Sequence, residues 1–394
     1  MSNWIPLFVL PNIRVKDGVS IDEAAIVPND EPRVRAYVRD HGDFGMFIKK
    51  FTDPFGAKSG PGVMLLRNEV ANTFRTMEAV SSFRDLIALS VIPLQRARSL
   101  ARGGSFYIQY SDYFDFYPWT FHEGHGHLVC NTPGLVALHE VSAFKGQSSP
   151  ILSPLDLDSF DLDAPLLREL LIRWQKRYGS AKPAWAEEAL FRSLNMAVAA
   201  SKMPAGPDLT RFALGRNLGL WVSAFEILIH KGTDKIRLWD VYDQLTSLPW
   251  GSKKSRYRRY RPYGLKDKRR NLACWIYGEI HHARNDFLHG NPIDPQRLLV
   301  KRSGRNLFLY AAPLYRMALT GFLQPPQAAP PSGSPTQFSR DRFDLIVNQH
   351  DVEEALYTVL VSEEEYRAQR AAEQARVRIT SRRGSNPPEG QSAG

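Results

Sequence analysis

The chain predicts a multidomain protein, an N-terminal α+β domain followed by an all-α helical bundle. Residues 1–150 hold aromatic and β-branched runs punctuated by Gly and Pro, as short strands require. From Asp163 onward, apolar residues recur at steps of three and four, the spacing that lines one face of a helix. Between the two lies Ser149–Asp163, rich in Ser, Pro, Asp and Leu and without helical period.

The elements follow in order. Trp4–Pro11 is short, bounded by prolines and preceded by no basic leader, so it predicts a first strand and no signal peptide. Leu65–Arg102 predicts a helix broken near Pro93, because a proline in a helix interior removes a hydrogen bond and clashes with the preceding turn. Phe106–Ile108 and Phe114–Tyr117 predict strands. Residues 151–164 form a linker, and 165–323 the bundle. Its first helix starts at Asp163 as N-cap, with Pro165 in the first turn, and stops at Gly179. A second spans Ala184–Ser201. The third is the clearest, with Leu214, Leu218, Trp221, Val222, Phe225, Leu228 and Ile229 on one stripe and Gly232 after it. The fourth covers Lys235–Leu248, the fifth Asn271–His289, stopped by Gly290 and Pro292, and the sixth Asn306–Leu323. Residues 324–342 predict a Pro/Ser-rich linker, 343–380 a C-terminal helical extension and 381–394 a disordered tail.

Charge narrows the partners. The 394 residues carry a formal charge of +10, and nearly all of it sits in one place. Ten basic residues and one acid, Asp267, fall between Lys253 and Arg270. Such a concentration is the footprint of a polyanion partner. Tyr257, Tyr260 and Tyr263 are interleaved with the cations. Lys254, Arg256, Arg258, Arg259, Arg261, Lys266, Arg269 and Arg270 predict phosphate contacts, and Tyr257 and Tyr260 predict stacking on unpaired RNA bases. No apolar run reaches the length of a membrane span. Two cysteines, Cys130 and Cys274, are too few for a disulfide framework and suit a reducing cytoplasm.

The fifth helix follows that basic stretch directly. On a helical wheel Leu272, Ile276, Ile280, Ala283 and Phe287 share an apolar face, while Gly278, His282, Asn285 and His289 share another. Small and polar residues on a second face predict a surface approached by another chain or a ligand. Arg284 and His289 pair the two groups that RNA cleavage by the neighbouring 2′-hydroxyl needs. An imidazole moves protons near neutral pH, and a guanidinium matches the charge and geometry of a phosphate. The string Arg284-Asn285-x-x-x-His289, late in a helix and followed by Gly290, resembles the Arg-x(4–6)-His signature of HEPN-domain ribonucleases. The resemblance covers about 160 residues and implies an HEPN-like bundle, a homodimer through the motif helix and metal-independent endoribonuclease activity without cofactor. It further implies a toxin or effector role in antiphage defence. Carried over, His289 transfers protons, Arg284 stabilises the phosphate and Asn285 positions. Where toxins of this family place a Tyr two residues after the His, this chain has Asn291. Arg35-x5-His41 also fits the loose signature, but without that context.

Supporting roles are expected for Glu226 and Glu279, as carboxylates able to hold Arg284, and for His282. Residues 1–150 would sense a regulatory protein or phage-derived trigger, or select substrate. Two rival readings stand beside this one: a non-catalytic RNA-binding scaffold, and a metallo-enzyme built on His122, His125 and His127 with Cys130. The second is weakened because only two residues separate His122 from His125, unlike His-Glu-x-x-His, and the glycines between them predict a loop.

Overall fold

A computed structural model describes residues 3–53, 55–103, 113–116, 119–121, 128–130, 155–202, 211–233, 235–247, 250–252, 257–288, 294–324 and 335–362, with positions 364, 365, 368 and 372. It is a mixed α+β structure, mostly helical, with a small N-terminal sheet. Strands β1 (Trp4–Leu10), β3 (Val19–Ser20), β4 (Ala24–Val27) and β5 (Gly62–Arg67) form an antiparallel sheet in the order β1-β5-β4-β3. The expected first strand is therefore present.

Alternation explains how that sheet is placed. Val9, Ala25, Val27, Val63 and Leu65 point to one face, packing with Val34, Phe44, Phe47 and Phe51 around helices α1 (Pro32–Asp40) and α2 (Gly42–Ile48). Phe8, Leu10, Ala24, Ile26, Met64 and Leu66 point to the other face and join the main core. A strand buried on both sides reads as an unbroken apolar run. That is why Leu65–Arg67, expected as the start of a helix, is instead the end of β5. The expected strand at Phe114 also needs correction. Phe114 is fully buried but lies in a turn, and Phe116 follows without strand pairing.

Helix α3 (Met77–Ala101) begins at Thr76, whose Oγ1 accepts from the Ala79 N–H at 3.2 Å. It runs through Pro93 without the expected break. Residues on both sides of Pro93 are buried, so packing holds the helix across the missing bond. Next to the gap, the Ser90 carbonyl accepts from the Asp163 N–H at 3.0 Å.

The bundle helices fall close to their expected spans: α4 (Ala164–Tyr178), α5 (Trp185–Ser201), α6 (Arg211–Leu228), α7 (Leu238–Thr246), α8 (Leu272–Leu288) and α9 (Phe308–Leu323). A further helix, α10 (Pro335–Tyr357), begins inside the stretch expected as linker and packs against α3, α4 and α9. The main buried cluster extends from Phe8 through α3 and the bundle to Val361 and does not divide near residue 150. Two further ladders are present. Strand β2 (Ile13–Val15) pairs in parallel with β8 (Leu155–Leu157), inside the expected linker, and β6 (Trp119–Phe121) pairs with β7 (Leu128–Cys130).

Asp163 precedes α4 as expected, but its side chain caps nothing. Its carboxylate instead takes Arg316 Nε at 2.7 Å and Asn348 Nδ2 at 3.1 Å, with Asp163 and Arg316 almost wholly buried. Asn348 Oδ1 accepts from Arg98 at 3.1 Å. α3, α4, α9 and α10 thus meet in one polar knot.

Candidate functional site

Helix α8 is held by its apolar face. Leu272, Ile276, Ile280 and Ala283 are buried and Phe287 packs against the core, as the wheel predicts. α8 lies against α6 through close approaches at glycine. A Cβ on Gly215 would fall 2.1 Å from the Phe287 ring, and one on Gly219 would meet Leu288 at 3.9 Å. These contacts pin the last turn, where the candidate chemistry lies.

Arg284 NH1 donates to Asn285 Oδ1 at 2.9 Å. Its Nε is buried without a hydrogen-bond partner among the described residues. Asn285 Nδ2 lies 3.3 Å from His281 Nδ1, and His281 Nε2 lies 4.0 Å from Glu226 Oε1 on α6. Tyr277, one turn back, is fully buried, and its hydroxyl has no partner among the described residues. Burial pushes the Glu226 carboxyl up, and the charge of Arg284 opposes that shift. Burial, then Arg284 and His282, push the His281 imidazole down to about 4. A neutral ring facing a carboxylate at 4.0 Å forms neither an ion pair nor a hydrogen bond.

The structure brings together Arg284, Asn285 and Glu226, and adds His281, which sequence reasoning passed over in favour of His282. His282 stacks on Tyr263 with ring centroids 3.9 Å apart and meets Arg297 NH2 at 2.8 Å. Arg297 also donates to Asp286 at 2.5 Å, from the turn Pro295–Leu298. Burial raises the Glu279 carboxyl and Arg297 and Lys301 oppose the shift, so the cations beside it are not Arg284. His289, the expected proton-transfer group, lies outside the described residues. So do His122, His125 and His127, as well as Lys254 and Arg256; Cys130 ends β7. Among the described residues no group of three or more His, Cys, Asp or Glu is placed to hold a metal ion.

The basic stretch folds onto α8. Tyr260 and Arg270 exchange backbone hydrogen bonds at 2.8 Å each, closing a loop. Tyr242 OH donates to the Tyr263 carbonyl at 2.8 Å, drawing the loop over Gly278, where a Cβ would fall 2.9 Å from Tyr263 N. The face expected to receive another chain is therefore partly covered by the protein's own loop. Tyr260 is packed beside Trp275 against the core, so its ring is not a free platform for a base. Tyr257 is, at 71% exposed. Arg258, Arg259, Arg261, Lys266 and Arg269 are exposed. Arg270 is partly covered and donates to Asp243 at 2.9 Å.

A separate cleft of about 1150 Å³ lies between Trp185, Leu228, His230, Lys235 and Asp243, and none of the motif residues lines it. No described helix is long and apolar enough to cross a membrane. No protein-family model, curated protein or solved structure matches this chain.

Proposed function

We propose that this protein is a metal-independent endoribonuclease, cleaving RNA by attack of the neighbouring 2′-hydroxyl at a site built on Arg284, Asn285 and His289. The observation that carries this reading is the placement of Arg284 and Asn285. They are joined at 2.9 Å in the last turns of a helix onto which the basic loop is folded. Arginine offers paired donors for the charge that builds on the phosphorane oxygens. Asn285 holds one end of the guanidinium. His289 is the group that moves the protons, and a homodimer through the motif helix gives each cleft two imidazoles, one as base and one as acid. The loop supplies phosphate contacts through Arg258, Arg259, Arg261, Lys266 and Arg269, and Tyr257 supplies a stacking face.

The wider setting rests on the resemblance alone. It is that of a cytoplasmic toxin or effector in antiphage defence, with residues 1–150 answering to a regulatory protein or a phage-derived trigger. The test is RNA cleavage by the full chain in the presence of EDTA. Wild-type protein cuts with EDTA present, leaving cyclic phosphate and 5′-hydroxyl ends, and Arg284→Ala loses cleavage by at least 100-fold, on the order of the effect of removing one oxyanion-stabilising donor. RNA that is bound but not cut by wild type points instead to a non-catalytic RNA-binding protein. Cleavage abolished by the chelator points to a metallo-enzyme.

A further inference from the structure

The hydrogen bonds around Arg284 run in one direction. A guanidinium carries only donors, so the Asn285 amide must turn its Oδ1 toward Arg284 NH1, at 2.9 Å. That leaves Nδ2, a donor, facing His281 Nδ1 at 3.3 Å. A ring nitrogen that accepts carries no proton, so the ring proton must sit on Nε2, the atom that faces the Glu226 carboxylate at 4.0 Å. Guanidinium, amide and imidazole then follow one another with donors and acceptors matched, and the remaining ring N–H faces the Glu226 carboxylate without bonding to it.

We infer that His281 is a positioning residue for Arg284: held as the neutral Nε2–H tautomer, it fixes the Asn285 amide, and the amide fixes the guanidinium. Its consequence for catalysis rests on the ribonuclease reading above; the hydrogen-bond chain does not. A protonated imidazole has a donor on each nitrogen. Its Nδ1–H would oppose the Asn285 Nδ2–H. The amide would have to rotate, giving Oδ1 to the ring and turning its own donors on Arg284. Protonation of His281 therefore releases the guanidinium.

The groups around the ring favour the neutral form. Among the described residues, the acidic group that faces the ring and favours a cation is Glu226 on α6. Arg284 and His282 on α8 oppose it, and burial opposes it most. Tyr277 on α8 and Tyr263 on the basic loop bring only their neutral rings, at 6.1 and 6.4 Å. His282 does not share this role, since its Nε2 is taken up with Arg297 and its ring is stacked on Tyr263.

Two measurements on the full chain test this. The first is nitrogen-15 NMR of labelled histidines, without substrate. At pH 7 the His281 signals should be those of a neutral ring protonated at Nε2. In Asn285→Asp a carboxylate replaces the amide donor and favours the imidazolium, so the His281 midpoint should move up by about one pH unit or more. A ring protonated at Nδ1 in wild type, or a midpoint unmoved in Asn285→Asp, overturns the inference.

The second is cleavage kinetics. His281→Gln keeps an acceptor for Asn285 and should retain kcat within about threefold, whereas His281→Ala should lose on the order of 100-fold in kcat, with KM little changed, as a misplaced catalytic group does. His281→Ala cutting as fast as wild type overturns it, as does His281→Gln falling as far as the alanine variant. Should His281→Ala fail to fold, the NMR measurement on wild type and Asn285→Asp decides. If Arg284→Ala and His289→Ala cut as well as wild type, it is the ribonuclease reading that fails, and the NMR result still decides the hydrogen-bond chain.

Discussion

Keeping the His281 ring neutral inside the fold has a consequence for stability. Its midpoint is pushed from 6.5 down to about 4, chiefly by burial. As pH falls through 6.5 the unfolded chain takes up a proton that the folded chain refuses until near pH 4. Native stability therefore falls across that window, by about 3 kcal/mol at pH 4, and the loss levels off below it. Urea denaturation of wild type and His281→Gln at pH 7 and pH 4.5 should show the steeper loss in wild type; parallel losses would mean that the ring is not held neutral. The sequence places both His281 and His282 one turn before the Arg284–Asn285 pair, at helical spacings of four and three from Asn285. What separates them is Tyr263, which covers His282 from a loop whose path no helical wheel contains.

At the scale of elements, the contact between the basic loop and α8 depends on Gly278. An added methyl would meet Tyr242 OH at 2.5 Å and the Tyr263 backbone at 2.9 Å, and backbone cannot step aside as a side chain can. Gly278→Ala should cost about 1–3 kcal/mol as an overpacked site and loosen the loop, weakening RNA binding along with stability. Full stability in thermal melts would show that the loop does not press on the helix. The exposed loop cations make a separate prediction. Replacing Lys266 and Arg269 with Ala should flatten the plot of log affinity for single-stranded RNA against log salt by about 1.4, the value for two lost phosphate contacts. An unchanged slope would place the RNA elsewhere. The helices were legible because the most deeply buried residues of α6 and α8 recur at steps of three and four, which leaves a period in the sequence. β5 was not legible, because a strand buried on both faces carries no period.

At the scale of the whole molecule, the sequence predicts a division near residue 150, and among the described residues one buried cluster draws on elements from both sides of that stretch. Composition between Ser149 and Asp163 does change, but α3 lies N-terminal to that stretch and packs against α4, α5, α9 and α10. Long-range packing of this kind leaves no local signal. The knot at Asp163 joins four of these elements, α3, α4, α9 and α10, with Arg316 at 2.7 Å in almost complete burial. Asp163→Ala should destabilise the whole fold by about 3–5 kcal/mol, because it strands a buried guanidinium. A chemical-denaturation midpoint shifted only slightly would show that the pair is dispensable.

The candidate chemistry was legible as a short string, Arg284-Asn285-x-x-x-His289, because its residue types are those that phosphoryl transfer to a 2′-hydroxyl demands. The Glu226–His281 side of the site was only half legible, since it arises from the packing of α6 on α8. The most direct measurement is cleavage of a defined RNA in EDTA by wild type, Arg284→Ala and His289→Ala, with the product ends identified. The expected result is cutting by wild type alone, with cyclic phosphate and 5′-hydroxyl ends. Equal cutting by either variant, or ends bearing a 5′-phosphate, would contradict it.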